Sequence, residues 1–174
     1  LNTAFPQVLF ESCASGGARF DPGLLYYAPQ GWTSDDTGAI ERLKIQYGTS
    51  YCYPVSSMGA HVSASPNHQV GRSTPLRTRT NVACFGTFGY ELDLNRLTSE
   101  GLETVRRQTA FMKAWRSVLQ FGTFYRLKSP FAGSTAAWMS VSQNQQTALV
   151  GWYRILNTPN PPYSRLKLAG LNPD

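Results

Sequence analysis

Strand-like apolar runs alternate with helical patterns over about the first 125 residues, and this alternation limits the possible folds more than any other feature. Strands that alternate with helices pair in parallel, and a parallel sheet must be covered on both faces. About four strand-and-helix units fit into this length, half of what closes a (β/α)8 barrel. The sequence therefore predicts an α/β fold containing half of such a TIM barrel, and it indicates that the chain is a piece of something longer.

The pattern changes near residue 129. Residues 135–141 and 147–156 alternate in the way that strands do, on either side of a polar turn, which predicts an antiparallel hairpin. One further strand is predicted over residues 165–168, after a proline-rich break. We expect two parts: residues 1–128 form a barrel half, and residues 129–174 begin an antiparallel β domain.

Composition narrows the classes of function. The formal net charge is +6, but the basic residues are spread along the chain and form no basic stripe, so no nucleic-acid partner is expected. No run of about 18 apolar residues occurs, so no membrane-spanning helix is expected either. Cys13, Cys52 and Cys84 cannot all pair and show no C-x-x-C spacing. This favours reduced thiols in the cytoplasm and no metal site.

Carboxylates near strand ends are the candidate catalytic groups, because such positions face the active site of a barrel. Glu11 follows a strand predicted over residues 7–10. Asp35 lies between Trp32 and the start of a helix. From its position alone, Asp35 can be either a helix cap or a proton donor in a sugar site, and Asp is common at helix starts.

The helix that follows Asp35 shows a clear apolar face and local end signals. Asp36 or Thr37 can cap it, and Gly48 is expected to end it. The polar stretch of residues 64–80 is expected to be a long loop, with room for one helical turn.

Cys13 precedes a glycine turn that contains Gly16, and this turn is either a tight bend or a place where backbone N–H groups approach a ligand. A thiol nucleophile formed by Cys13 with His61 or His68 finds no support in the spacing. A buried structural thiol is the favoured interpretation.

Five longer motifs carry more information than these single residues. They are ESCASGGARFDPG (11–23), WTSDD (32–36), AIERLKIQYGTSYCYP (39–54), MGAHVS (58–63) and FGTFGYELDLNRL (85–97). Together they resemble the α-galactosidases of glycoside hydrolase family 36, of the lactic-acid-bacterial type. The resemblance runs across nearly the whole chain and implies the later strands and helices of the barrel, followed by part of a C-terminal antiparallel β-sandwich.

The resemblance implies a role for several residues. Asp35 corresponds to the catalytic acid/base, and it also contacts the substrate. Cys13 and Gly16 belong to the pocket that grips the terminal galactose, Trp32 shapes the wall of that pocket, and Arg19 braces the loop. Two carboxylates suffice for hydrolysis with retention, so no cofactor or metal is implied. The implied substrates are α-galactosides such as melibiose and raffinose, and the full-length enzyme is a possible homo-oligomer.

The sequence departs from the family pattern in two ways. The K-W-D motif that carries the nucleophile in the family is absent, so we expect a C-terminal fragment that is catalytically silent alone. Alternatives are a non-catalytic galactose-binding or assembly fragment, and a galactosyl transferase of the raffinose-synthase type. In addition, Gly38 stands where the family usually has Asp.

Overall fold

The computed structural model describes residues 1–13 and 20–173, so Gly16 and Arg19 lie outside the described residues. Four helices and seven strands are present in this part of the chain. The helices are α1 (Pro22–Tyr27), α2 (Ala39–Thr49), α3 (Leu76–Ala83) and α4 (Ser99–Phe121). The strands are β1 (Glu11–Ser12), β2 (Gln30–Gly31), β3 (Gly59–Ser63), β4 (Thr87–Glu91), β5 (Thr123–Lys128), β6 (Thr135–Val141) and β7 (Ala148–Arg154).

The first four strands run parallel and in chain order. β1 pairs with β2, a single parallel bridge between Gly31 and Met58 links β2 to the start of β3, and β3 pairs with β4 along its whole length. Helices or loops connect each strand to the next. This confirms the parallel, alternating organisation, and the four strands form two parallel pairs, β1 with β2 and β3 with β4, joined by that single bridge.

The helix ends show which local signals decided the structure. Asp21 caps α1, its carboxylate accepting from the N–H of Leu24 at 2.9 Å, and Thr98 caps α4 in the same way. The expected limits of α2 were wrong. Its N-cap is Gly38, which has no side chain to offer, and Gly48 lies inside the helix.

Strands β5, β6 and β7 form an antiparallel sheet with sequential neighbours. The hairpin predicted around the polar turn is thus present as β6 and β7. The antiparallel sheet already begins at Thr123, before the change of pattern seen in the sequence.

The main core lies between helices α2 to α4 and this antiparallel sheet. Trp138 of β6 is fully buried, with ring centroids 5.8 Å from Phe85 and 5.1 Å from Tyr153. Leu43 and Leu119 pack in the same cluster. The Tyr153 hydroxyl also donates to the carbonyl of Asn81 at 2.8 Å, which fixes β7 against α3.

Two predicted strands do not form. Residues 7–10 make no ladder, because the partner strand β2 has only two residues between Pro29 and the following loop, and proline has no N–H to donate. Residues 165–168 also form no strand. After two prolines, this segment returns to the β-sheet through isolated contacts, such as the N–H of Ala169 on the sulfur of Met139 at 3.5 Å.

Candidate active site

Asp35 lies at the C-terminal edge of the parallel strands, in the loop between β2 and α2. The indole Nε1–H of Trp32 donates to Oδ1 of Asp35 at 3.1 Å, and the carboxylate itself is exposed. Asp35 does not cap α2, which begins after Gly38. Since one carboxylate oxygen is fixed by the indole, the other is free to face a ligand.

Trp32 is buried and lies across the neighbouring strand β3. Its ring stacks on the imidazole of His61, with centroids 4.7 Å apart and planes 29° apart. It also covers Gly59, where an added Cβ would lie 2.8 Å from the indole Cε3. Glycine at position 59 therefore makes room for the ring that orients Asp35.

A hydrogen-bond network anchors the end of the Asp35 loop to β3 and to the segment that follows it. The hydroxyl of Ser63 donates to the carbonyl of Thr37 at 3.0 Å, and the amide of Asn67 donates to Oγ1 of Thr37 at 2.9 Å. Oε1 of Gln69 accepts from both the N–H and the hydroxyl of Thr37. The stretch of residues 64–80, expected to be a loop, thus fixes the site, and its last residues already belong to α3 (Leu76–Ala83), which is longer than the one helical turn expected there.

Arg42 of α2 is buried behind the same loop. Its guanidinium lies 5.1 Å from the ring centre of Trp32, and Nη1 donates to Oγ1 of Thr33 at 3.1 Å and to the carbonyl of Ser34 at 3.4 Å. Burial lowers the pKa of Arg42 to about 10, while the charges of Asp36 and Glu91 oppose that shift. Arg42 was missed because an arginine within an amphipathic helix ordinarily faces solvent.

Two other carboxylates, Glu11 and Asp93, are engaged elsewhere. Oε2 of Glu11 accepts from the side-chain amide of Gln30, at the start of the paired strands β1 and β2. Asp93 caps a 3-10 turn and accepts from the N–H of Asn95 at 3.0 Å. The described contacts thus give neither carboxylate a link to Asp35.

Cys13 directly follows β1, and the N–H of Trp32 donates to the carbonyl of Ser12 at 2.8 Å. The structure therefore brings Cys13, Trp32 and Asp35 to the same edge of the sheet. Cys13 is exposed, so its interpretation as a buried structural thiol was wrong. Within residues 1–13 and 20–173, no group of three His, Cys, Asp or Glu side chains could hold a metal ion, and no helix is long and apolar enough to cross a membrane.

Comparison with known proteins identifies the family to which the chain belongs. The sequence profile of the Melibiase family matches residues 1–122. The chain belongs to the Melibiase family. The profile of the glycosyl hydrolase family 36 C-terminal domain matches residues 135–174 as well, which confirms the resemblance inferred from the motifs.

Its relatives in this family are alpha-galactosidases. The chain is 58% identical over 172 residues to the alpha-galactosidase AgaA of Geobacillus stearothermophilus, covering 99% of this chain and 24% of AgaA. It is 51% identical to alpha-galactosidase 1 of Pediococcus pentosaceus, again over 24% of that protein. The chain thus spans about a quarter of the length of the curated relatives it matches.

Solved structures agree with the fold. The crystal structure of AgaA superposes with a TM-score of 0.96 over 98% of this chain and 24% of the AgaA chain. The alpha-galactosidase from Lactobacillus brevis, 56% identical, gives a TM-score of 0.97 over 99% of this chain and 23% of its own. The described fold is therefore that of the matching part of family 36 alpha-galactosidases.

Proposed function

We propose that this chain supplies the acid/base part of a retaining α-galactosidase site, with Asp35 as the acid/base. The observation that carries the proposal is the exposed Asp35 carboxylate, held through one oxygen by Trp32 at the edge of the parallel strands. The substrates are oligosaccharides with terminal α-D-galactosyl residues, such as melibiose and raffinose. AgaA structures in complex with raffinose and with stachyose support this choice.

The proposed reaction is a double displacement with retention. A nucleophilic carboxylate attacks the anomeric carbon while Asp35 protonates the leaving oxygen, and Asp35 then takes a proton from the attacking water. Because Oδ1 accepts the indole hydrogen bond, the transferred proton is carried on Oδ2. Proton transfer from such a group contributes a factor of about 10²–10⁴ to the rate.

The nucleophile is proposed to come from outside these 174 residues. No K-W-D sequence occurs here, and Glu11 and Asp93 each hold other partners. The chain alone is therefore expected to be inactive. A non-catalytic galactose-binding role would leave it able to bind the sugar without turnover, and calorimetric titration with millimolar galactose tests that role directly.

The remaining assignments follow from the same proposal. Cys13 and Gly16 contact the terminal galactose, and Trp32 borders the pocket as well as orienting Asp35. Residues 1–128, apart from β5 at their end, are the later strands and helices of the catalytic barrel, and residues 129–174 continue the antiparallel sheet of β5 as the start of the C-terminal β-sandwich. The exposed, unpaired thiols Cys13 and Cys52 support a cytoplasmic location.

The experiment is a chimeric enzyme in which residues 1–174 replace the matching segment of AgaA. We expect the chimera to release nitrophenol from a nitrophenyl α-galactoside and Asp35→Asn to abolish that release. The matched control is Asp93→Asn, another exposed Asp, which should leave the rate unchanged. Full activity of Asp35→Asn would overturn the assignment. Turnover by the 174-residue chain alone would show that it contains its own nucleophile.

A further inference from the structure

We propose that Arg42 is a positioning residue, which holds the Trp32–Asp35 pair in its reactive geometry. The inference rests on the proposed acid/base role of Asp35. Arg42 lies on α2, seven positions beyond Asp35 in the sequence. It is part of the motif of residues 39–54, but the family resemblance implied no role for it.

The contacts of Arg42 join three parts of the site. Nη1 reaches the hydroxyl of Thr33 and the carbonyl of Ser34, so two residues between Trp32 and Asp35 are held by one guanidinium. Nη2 donates to the carbonyl of Gly59 on β3, in the strand on which the indole ring lies. One planar group thus fixes the loop relative to the strand beneath it.

Arg42 also faces the indole that binds the carboxylate. Its Cζ lies 5.1 Å from the ring centre of Trp32, a distance at which a cation is attracted by the aromatic face. The Nε1–H of the same ring donates to Oδ1 of Asp35. A shift or rotation of the ring would therefore move the donor away from Oδ1 and release the carboxylate from its fixed orientation.

Burying the charge of Arg42 costs free energy, which indicates that its directed hydrogen bonds serve a purpose beyond packing. Across residues 1–13 and 20–173, no carboxylate lies within salt-bridge distance of its guanidinium, and its acceptors are neutral oxygens. A buried charge without an ionised partner is expensive, and an apolar residue of similar volume often packs at lower cost. What an apolar residue cannot supply is the set of directed bonds to Thr33, Ser34 and Gly59.

The first test measures kinetics in the chimeric enzyme with Arg42→Met and Arg42→Lys. We expect Arg42→Met to lower kcat about 10- to 100-fold with KM changed less than about threefold, because misplaced reacting groups lose rate more than binding. Arg42→Lys keeps the charge but not the planar set of donors. Its kcat should therefore lie between that of the unmutated chimera and that of Arg42→Met. The alkaline limb of the pH–rate profile should move to higher pH in Arg42→Met, since a carboxylate without its donor keeps its proton longer.

The matched control is Arg79→Met. Arg79 is also partly buried, and its guanidinium donates to the carbonyls of Thr74 and Ser63 rather than to the Asp35 loop. We expect Arg79→Met to change stability without moving the alkaline limb. An unchanged kcat in Arg42→Met, or an equal effect of Arg79→Met on kcat and on the pH profile, would overturn the proposal. Activity retained by Asp35→Asn would instead overturn the proposed function.

Thr33→Val covers the case in which Arg42→Met fails to fold. It removes one acceptor of Nη1 at nearly constant volume, and we expect kcat to fall about three- to tenfold with stability nearly unchanged. A second readout uses the 174-residue chain itself. The indole N–H resonance of Trp32, assigned by its loss in Trp32→Phe, should change its chemical shift in Thr33→Val, because the ring that donates to Asp35 moves. An unaltered chemical shift of this resonance in Thr33→Val, together with full kcat, would contradict the role of Arg42.

Discussion

The indole of Trp32 lies on the imidazole of His61, with their planes 29° apart and their centroids 4.7 Å apart. Trp32 directly follows β2 and His61 lies in β3, where it is opposite Gly89 in the register of β3 and β4. An added Cβ at Gly89 would lie 3.1 Å from Cδ2 of His61, so glycine at this position leaves space for the ring. Asp35 is thus oriented by an aromatic layer that spans several strands.

Trp32→Phe should separate the effect of the hydrogen bond to Asp35 from the effect of the ring packing on His61. Phenylalanine keeps an aromatic ring against His61 but offers no donor to Oδ1 of Asp35. In the chimeric enzyme we expect kcat to fall about tenfold and the alkaline limb of the pH–rate profile to move to higher pH, because the carboxylate loses a hydrogen-bond donor. The control is Trp152→Phe in the half-exposed ring of β7, for which both quantities should match the parent chimera. An unmoved alkaline limb in Trp32→Phe would show that the indole does not influence Asp35.

Gly59→Ala should destabilise the chain, because the new methyl group would lie 2.8 Å from Cε3 of Trp32 and the ring is buried. We expect the free energy of unfolding to fall by about 1–3 kcal/mol, measured by urea denaturation of the 174-residue chain. Gly48→Ala is the matched control. It lies inside α2 with no heavy atom within 4 Å of an added Cβ, so alanine should raise stability by about 0.5–1 kcal/mol. Equal effects of the two substitutions would contradict this account of Gly59.

Gly38→Asp should stabilise the chain only when the side chain of Glu41 is shortened. An Asp at this N-cap could accept from the first turn of α2, but its Cβ would meet Oε2 of Glu41, which is buried without a hydrogen-bond partner among the described residues. We expect Gly38→Asp to lower the free energy of unfolding by about 0.5 kcal/mol in the parent chain and to raise it by about 0.5 kcal/mol in Glu41→Ala, which has no side-chain atom to meet the new Cβ. A double-mutant cycle by urea denaturation measures the coupling of about 1 kcal/mol, and additive effects would contradict it.

Alkaline destabilisation should depend on Cys84. Burial raises the pKa of this thiol from 9.0 to about 12. The unfolded chain releases this proton at lower pH than the folded chain does, so the stabilisation is fully present below pH 9 and is lost as pH rises toward 12. The slope from this thiol is at most about 1.4 kcal/mol per pH unit. Burial also raises the pKa of Tyr153, which adds to the loss at higher pH.

Unfolding curves between pH 9 and 12 test this origin, since that range spans the ordinary and the raised pKa of Cys84. Cys84→Ala should lessen the dependence of the free energy of unfolding on pH, whatever its effect on absolute stability. Cys52→Ala, at an exposed thiol, should leave that dependence unchanged. A slope unaffected by Cys84→Ala would assign the alkaline loss to other groups.

Local patterns predicted the elements whose stabilising contacts are close in sequence. The hairpin of β6 and β7 was predicted because its signals, two alternating runs and the polar turn between them, lie within a few residues of one another. Residues 7–10 were predicted as a strand because they are apolar, but a strand needs a partner, and β2 offers only two residues. The start of α2 was missed for a related reason. Asp36 accepts from the N–H of Gly38 at 3.0 Å and so shapes the turn before the helix instead of capping it.

The sequence by itself determined the family, the alternation of parallel strands and helices, and the place of Asp35 after a strand, because these depend on residue order and local periodicity. Only the tertiary structure decided what surrounds Asp35. The indole of Trp32 is placed by Gly59 and His61 on another strand, and Arg42 reaches both the Asp35 loop and that strand. Such contacts join residues far apart in the chain, and they form only when burial of the intervening strand and helix brings them together.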